Sequence, residues 1–207
     1  IDDANNPYFI QFTGGSRAIE LGLIDLKGTK ILGFTLLAIA SIVGIYLTLE
    51  SNLNTFYIGL AGAFLGYFYT APPFRLVAQK GLGELSIALA FGGLVTLGTA
   101  NVLTHELSWL AFIIGIPMGL LTANILLINE FPDAASDATT GKNHLVVTFG
   151  KKTGIGIYSS ILVAAVVSYI WIFFLLGNQN YFIIGTALYT LVFGLFILRH
   201  IINDYEA

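Results

Sequence analysis

Six long apolar runs dominate this sequence and leave it little choice of environment. They cover residues 31–49, 54–71, 85–103, 107–129, 154–176 and 181–198. Each is roughly 18–23 residues long, the length an α-helix needs to cross a hydrocarbon core of about 30 Å. Helices satisfy their own backbone hydrogen bonds, which lipid requires of any spanning segment. The 207 residues are 56% hydrophobic and 10% charged, and a soluble domain carries about 25% charged residues. The expected fold class is therefore all-α, a polytopic transmembrane helix bundle, read as a single domain over 1–207.

The connections between the runs are of two kinds. Residues 50–53, 104–106 and 177–180 are short and hold no Lys or Arg. Residues 1–30, 72–84, 130–153 and the tail from Arg199 hold all nine basic residues: Arg17, Lys27, Lys30, Arg75, Lys80, Lys142, Lys151, Lys152 and Arg199. Such one-sidedness marks the basic segments as cytoplasmic. The net charge of -3 gives no basic surface for nucleic acid. The absence of cysteine removes disulfides, zinc–thiolate sites and thiol nucleophiles. Gly62 and Gly66, Gly92, Gly93 and Gly98, and Gly115 and Gly119 lie inside the runs, where small residues permit close helix packing. Pro117 is expected to kink the fourth helix.

Three polar constellations lie on the basic side. The first runs from Asn129 through Glu130, Pro132, Asp133 and Asp137 to Gly141-Lys142. Asn129, Asp133 and Asp137 are spaced by four, so a helix presents them on one face. Pro132 can begin a helical turn but interrupts the one before it, so the acids are expected on a short helical extension at the cytoplasmic end of the fourth helix. Two like charges on one face repel, and a divalent cation would remove that repulsion. Oxygen-only donors suit magnesium, which shares one or two carboxylates with phosphate oxygens. On spacing alone a solvated acidic loop is an equal reading. The flanking Asn, the Gly-Lys pair and the membrane edge favour the metal–diphosphate site.

The second constellation is Tyr69-Thr70-Ala71-Pro72-Pro73-Phe74-Arg75, followed by Gly81-Leu82-Gly83-Glu84. Arg75 can bind phosphate bidentately; taken alone, the pair also reads as an interfacial Tyr with a topological Arg. The third, Phe12 to Arg17 with Gly14-Gly15-Ser16, can aim backbone N–H groups at an anion, or be an ordinary flexible loop. His105, His144 and His200 are scattered and are expected as plain surface residues. Trp109 and Trp171 are expected at the lipid interface or in packing.

Taken together, the three segments resemble the UbiA superfamily of intramembrane prenyltransferases, most nearly the branch acting on 1,4-dihydroxy-2-naphthoate in menaquinone synthesis. The resemblance implies a nine-helix fold around a cavity open to the membrane, of which this chain would supply six helices. It implies two aspartate-rich motifs that hold Mg²⁺ and the diphosphate of a polyprenyl donor, with an aromatic acceptor as second substrate. Asn129, Asp133 and Asp137 match the second motif as metal ligands. Arg17 and Lys142 stand where basic residues meet diphosphate, and Tyr69 and Arg75 where the reacting centre lies. The first motif is expected before residue 1, with two helices preceding this chain and one following it. Asn143-His144 is a departure, since relatives often carry Arg or Thr there. Other acceptors (4-hydroxybenzoate, a chlorophyllide, haem) and a non-catalytic scaffold subunit are the alternatives. A transporter is disfavoured because the six runs contain no charged residue.

Overall fold

The computed structural model describes residues 18–19 and 21–205. Among these residues the chain is helical with no strand. The helices are α1 (Leu26–Glu50), α2 (Leu53–Thr70), α3 (Leu82–Ala88), α4 (Val95–Thr104), α5 (Trp109–Thr139), α6 (Leu145–Phe149), α7 (Lys151–Leu175) and α8 (Tyr181–Tyr205). A π-helical segment, Leu89–Leu94, joins α3 to α4 without a break, so Leu82–Thr104 is one rod. Five helices are long and apolar enough to cross a membrane: α1, the α3–α4 rod, α5, α7 and α8. The remaining expected span, α2, forms at its expected place with 18 residues. It is less apolar, carrying Asn54, Tyr57, Tyr67 and Tyr69. The chain is an integral membrane helical bundle.

Side-chain oxygens fix several helix starts. Asp25 accepts from the Gly28 N–H at 2.6 Å, Asn52 from Asn54 at 2.9 Å and Ser108 from Ala111 at 3.3 Å. Each occupies a donor that the helix itself leaves open. α1 has no buried residue, and its Ile31, Phe34, Leu36 and Ile42 face outward. Such a surface suits hydrocarbon rather than water.

α5 is the hub. It packs against the α3–α4 rod on one side and against α7 on the other, and α7 carries α8. The contact with the rod is made backbone to backbone. A Cβ on Gly92 would lie 2.8 Å from the Gly115 carbonyl oxygen and from the Gly119 Cα. A Cβ on Gly119 would strike the Ala88 carbonyl. The other flank of α5 is a conventional core of Leu127, Phe131, Val146, Ile155, Tyr158, Leu162 and Ile201. Tyr158 donates its hydroxyl to the Gly194 carbonyl at 3.2 Å, joining α7 to α8.

The two ends of the bundle differ as the charge distribution predicts. At the end without basic residues, wholly buried Asn101 donates to Thr55 Oγ1 at 2.8 Å and to Asn52 Oδ1 at 3.1 Å. Asn52 in turn donates to the His105 carbonyl at 2.8 Å. At the opposite end the loop after α2 meets the loop after α5, where Asn143 N–H donates to the Ala78 carbonyl at 3.2 Å.

The acids lie on a helical extension of the fourth span, as expected, but without the interruption expected at Pro132: α5 runs as one helix of 31 residues through both Pro117 and Pro132. Proline removes a single N–H donor, and packing on both flanks of α5 carries the helix past it. Thirty-one residues rise about 46 Å, so α5 outlasts a hydrocarbon core of about 30 Å and its acidic end projects towards the membrane surface.

The glycine crossing yields a test. Gly119→Ala should destabilise the protein by about 1–3 kcal/mol, the range for overpacking, despite the better helix propensity of Ala. Gly156→Ala, whose Cβ would meet nothing within 4 Å, should leave stability unchanged or raised. Thermal unfolding in detergent measures both.

Candidate active site at the basic end

The acidic stripe lies on α5 as its spacing predicts, but its members sit in different surroundings. Asn129 is exposed, Asp133 half-buried and Asp137 buried. The turn after α5 folds back, with Lys142 N–H bonding to the Asp137 carbonyl at 3.1 Å. That return sets Lys142 Nζ 2.8 Å from Asp137 Oδ2.

His144 is the largest departure from expectation. It is wholly buried, not a plain surface residue. Its Nε2 lies 3.2 Å from Asp137 Oδ2 and its Nδ1 3.1 Å from Glu130 Oε2. Burial alone would lower its pKa, but the hydrogen bonds and charges of Asp137 and Glu130 prevail and push it up to about 9. The two carboxylates thus favour the protonated ring. Val147 N–H also lies 3.4 Å from Nδ1. Glu130 Oε2 lies closer to the same nitrogen, within ion-pair distance but not aligned as a hydrogen bond.

Glu84 completes the group from the first turn of α3. It is buried, accepts the Leu145 N–H at 3.2 Å, and has Glu130 as its charged neighbour. The Tyr69 hydroxyl, at the end of α2, is an electrostatic neighbour of both acids. Four elements thus converge: α2, α3, α5 and the loop leading into α6.

Beside this cluster, the loops after α2 and α5 enclose a cavity of about 350 Å³. Arg75, Lys80, Gln79, Asn143, Pro73 and Gly141 line it. Arg75, separated by Phe74 from the cis Pro72–Pro73 pair, adopts φ 42°, ψ 61°, a left-handed conformation that aims the chain back towards α3. Arg17 and the 12–17 loop lie outside the described residues. The structure thus brings Tyr69 beside the acids of α3 and α5, joins Lys142 to Asp137, and puts Arg75 in a cationic cavity next to them.

The oxygen-only stripe fits the donor chemistry of Mg²⁺. Among the described residues no three His, Asp or Glu side chains converge into a ready cage. Magnesium asks for none, because it keeps waters and takes further oxygens from phosphate. Asn129 is exposed, Asp133 is half-buried with its Oδ1 enclosed, and Asp137 is held by Lys142 and His144.

Glu84 and Glu130 stand within the sequence constellations without an assigned role, and His144 was expected at the surface. One signal was available: ionisable residues within membrane-spanning helices mark functional sites. The apolar runs stop short of both glutamates, whereas the helices that form include them, in Leu82–Thr104 and Trp109–Thr139. The spans are therefore not free of charge, although the acids gather near their basic ends.

Residues 12–207 match the profile of the UbiA prenyltransferase family, and the chain belongs to that family. It is 29% identical over 65% of its length to a 1,4-dihydroxy-2-naphthoate octaprenyltransferase of Bacillus subtilis, covering 42% of that protein. It is 37% identical over 54% of its length to a 2-carboxy-1,4-naphthoquinone phytyltransferase of Synechocystis, covering 34% of that protein. A 1,4-dihydroxy-2-naphthoate octaprenyltransferase of Haemophilus influenzae is 32% identical over 73% of the chain and is covered to 50%. The chain spans half or less of the length of these relatives. No solved structure matches it closely enough to add to the comparison.

The Glu84 bond offers a local test. Glu84→Ala leaves the Leu145 N–H without its acceptor, at a cost of about 1–3 kcal/mol. Hydrogen exchange at the Leu145 amide should accelerate, while the Asn101 cluster at the far end keeps its protection.

Proposed function

We propose that the protein containing this chain is a Mg²⁺-dependent prenyltransferase. It would move a polyprenyl group from polyprenyl diphosphate to an aromatic acceptor, 1,4-dihydroxy-2-naphthoate first among candidates, at the cytoplasmic face of the membrane. The observation that carries this reading is the acidic stripe of α5 with Lys142 beside it at 2.8 Å, in a chain of the UbiA family. The naphthoate acceptor rests on the names of relatives, and the phytyltransferase relative keeps the acceptor class while changing the prenyl donor.

The chain's residues divide the work as follows. Asn129, Asp133 and Asp137 supply the oxygens that hold the metal. When bound, Mg²⁺ neutralises charge on the departing diphosphate. Lys142, Arg75 and Arg17 add positive charge where the prenyl C–O bond breaks and its electron pair leaves with the diphosphate. Tyr69 borders the resulting allylic cation with its ring, and the apolar walls exclude water. The acceptor ring then forms the new C–C bond and loses a proton or, for a naphthoate, carbon dioxide.

Prenyl transfer by the full-length protein should require Mg²⁺ absolutely, so equal rates with and without EDTA would remove the metal from the reading. Asp133→Ala and Asp137→Ala should each lower turnover by at least about 100-fold, the scale of losing a principal electrostatic stabiliser, with membrane expression intact. Parallel assays with 1,4-dihydroxy-2-naphthoate and 4-hydroxybenzoate decide the acceptor. Product formed only from 4-hydroxybenzoate would overturn the naphthoate assignment and leave the prenyl chemistry standing.

A further inference from the structure

The proposed reaction assigns no task to His144, although its side chain is almost completely enclosed, with 1% of its surface exposed. The ring joins two carboxylates of α5, Glu130 and Asp137, that stand seven residues apart. Seven residues are two helical turns, about 10.5 Å along the axis, so both acids share one face yet cannot share one donor atom. An imidazole, with a nitrogen on each side, reaches both: Nε2 is hydrogen-bonded to Asp137 at 3.2 Å, and Nδ1 lies within ion-pair distance of Glu130 at 3.1 Å.

The backbone on either side of this ring is also fixed. Asn143 N–H is bonded to the Ala78 carbonyl at 3.2 Å, and Leu145 N–H to Glu84 at 3.2 Å. The ring is thus anchored to the loop after α2 and to α3 before it reaches α5.

Asp137 Oδ2 receives a second donor, Lys142 Nζ, at 2.8 Å. The two donors differ in freedom. The Lys142 side chain is 23% exposed, sits on a flexible stem, and can turn towards an incoming anion. His144 has nowhere to go.

We propose that His144 is a positioning residue for Asp137: its buried imidazole, braced against Glu130, holds the carboxylate in the orientation that binds metal and leaves Lys142 free to move from Asp137 to the diphosphate. This rests on the reading of Asp137 as a metal ligand. Groups that hold a ligand from behind typically change metal affinity by 10–100-fold when altered. The same anchoring ties the Arg75 loop to the acidic stripe, so the cationic and metal-binding halves of the site keep a fixed separation.

The test uses purified full-length protein in detergent, with Mn²⁺ as probe and no prenyl substrate, and follows binding by electron paramagnetic resonance. His144→Gln keeps a polar side chain but can reach only one carboxylate. Its Mn²⁺ affinity per folded molecule should fall at least about tenfold. Lys142→Met, a change at a solvent-reaching side chain, should keep Mn²⁺ affinity within about twofold of wild type while weakening inorganic diphosphate binding. Wild-type affinity in the folded His144→Gln protein would overturn the proposal, because a merely structural histidine lowers the folded fraction and not the affinity. Should His144→Gln not fold, Lys142→Met decides: a tenfold loss of Mn²⁺ affinity there would show that Lys142 holds the carboxylate. Wild-type protein that binds no Mn²⁺ would instead sink the metal reading itself, and this inference with it.

Discussion

The backbone contact between the α3–α4 rod and α5 sets the geometry from which the rest follows. In lipid no hydrophobic force draws two apolar helices together, so packing and hydrogen bonding must hold them. Gly92, Gly115 and Gly119 remove the side chains that would keep the axes apart. The two helices run in opposite directions from that crossing. Their basic-side ends, carrying Glu84 and Glu130, therefore emerge close together. The site depends on this convergence, since the Leu145 N–H has to reach Glu84 while His144 reaches Glu130.

The ionic cluster at that end serves arrangement rather than stability. Removing carboxylates and an imidazolium from water is expensive, and their mutual attraction repays it only in good geometry. Here the Leu145 N–H and Lys142 each satisfy one carboxylate, while Glu84 Oε2 and Glu130 Oε2 stay enclosed without a hydrogen bond. The result is a rigid junction of α2, α3, α5 and α6 at the membrane edge. Asn129 lies exposed at its edge, with Asp133 half-buried one turn further on.

Much of this was legible in the sequence, and what was missed shares one cause. Helix positions followed from apolar runs because lipid demands a continuous apolar surface. The Asn129–Asp133–Asp137 stripe followed from the helical period. Both are local properties. His144 was misread because its burial depends on Glu130, fourteen residues earlier, and on Ala78 and Glu84, more than fifty residues away through Asn143 and Leu145. No periodicity records such contacts. The unbroken passage of α5 through Pro132 was missed for a related reason: the proline was weighed by its local cost, whereas packing by α3 and α7 keeps the helix whole.

The π-helical segment Leu89–Leu94 carries a consequence of its own. A turn of this kind holds one residue more than an α-turn, and each residue of an α-helix rotates the chain by about 100°. Glu84 lies on one side of that segment; Thr96 and Asn101 lie on the other. The extra residue therefore sets the angular phase between the acid that meets Leu145 and the amide that meets Asn52 and Thr55. Loss of a single residue there would swing one end out of alignment with its partners while leaving hydropathy almost untouched. In this stretch the number of residues constrains the structure alongside the identity of Gly92.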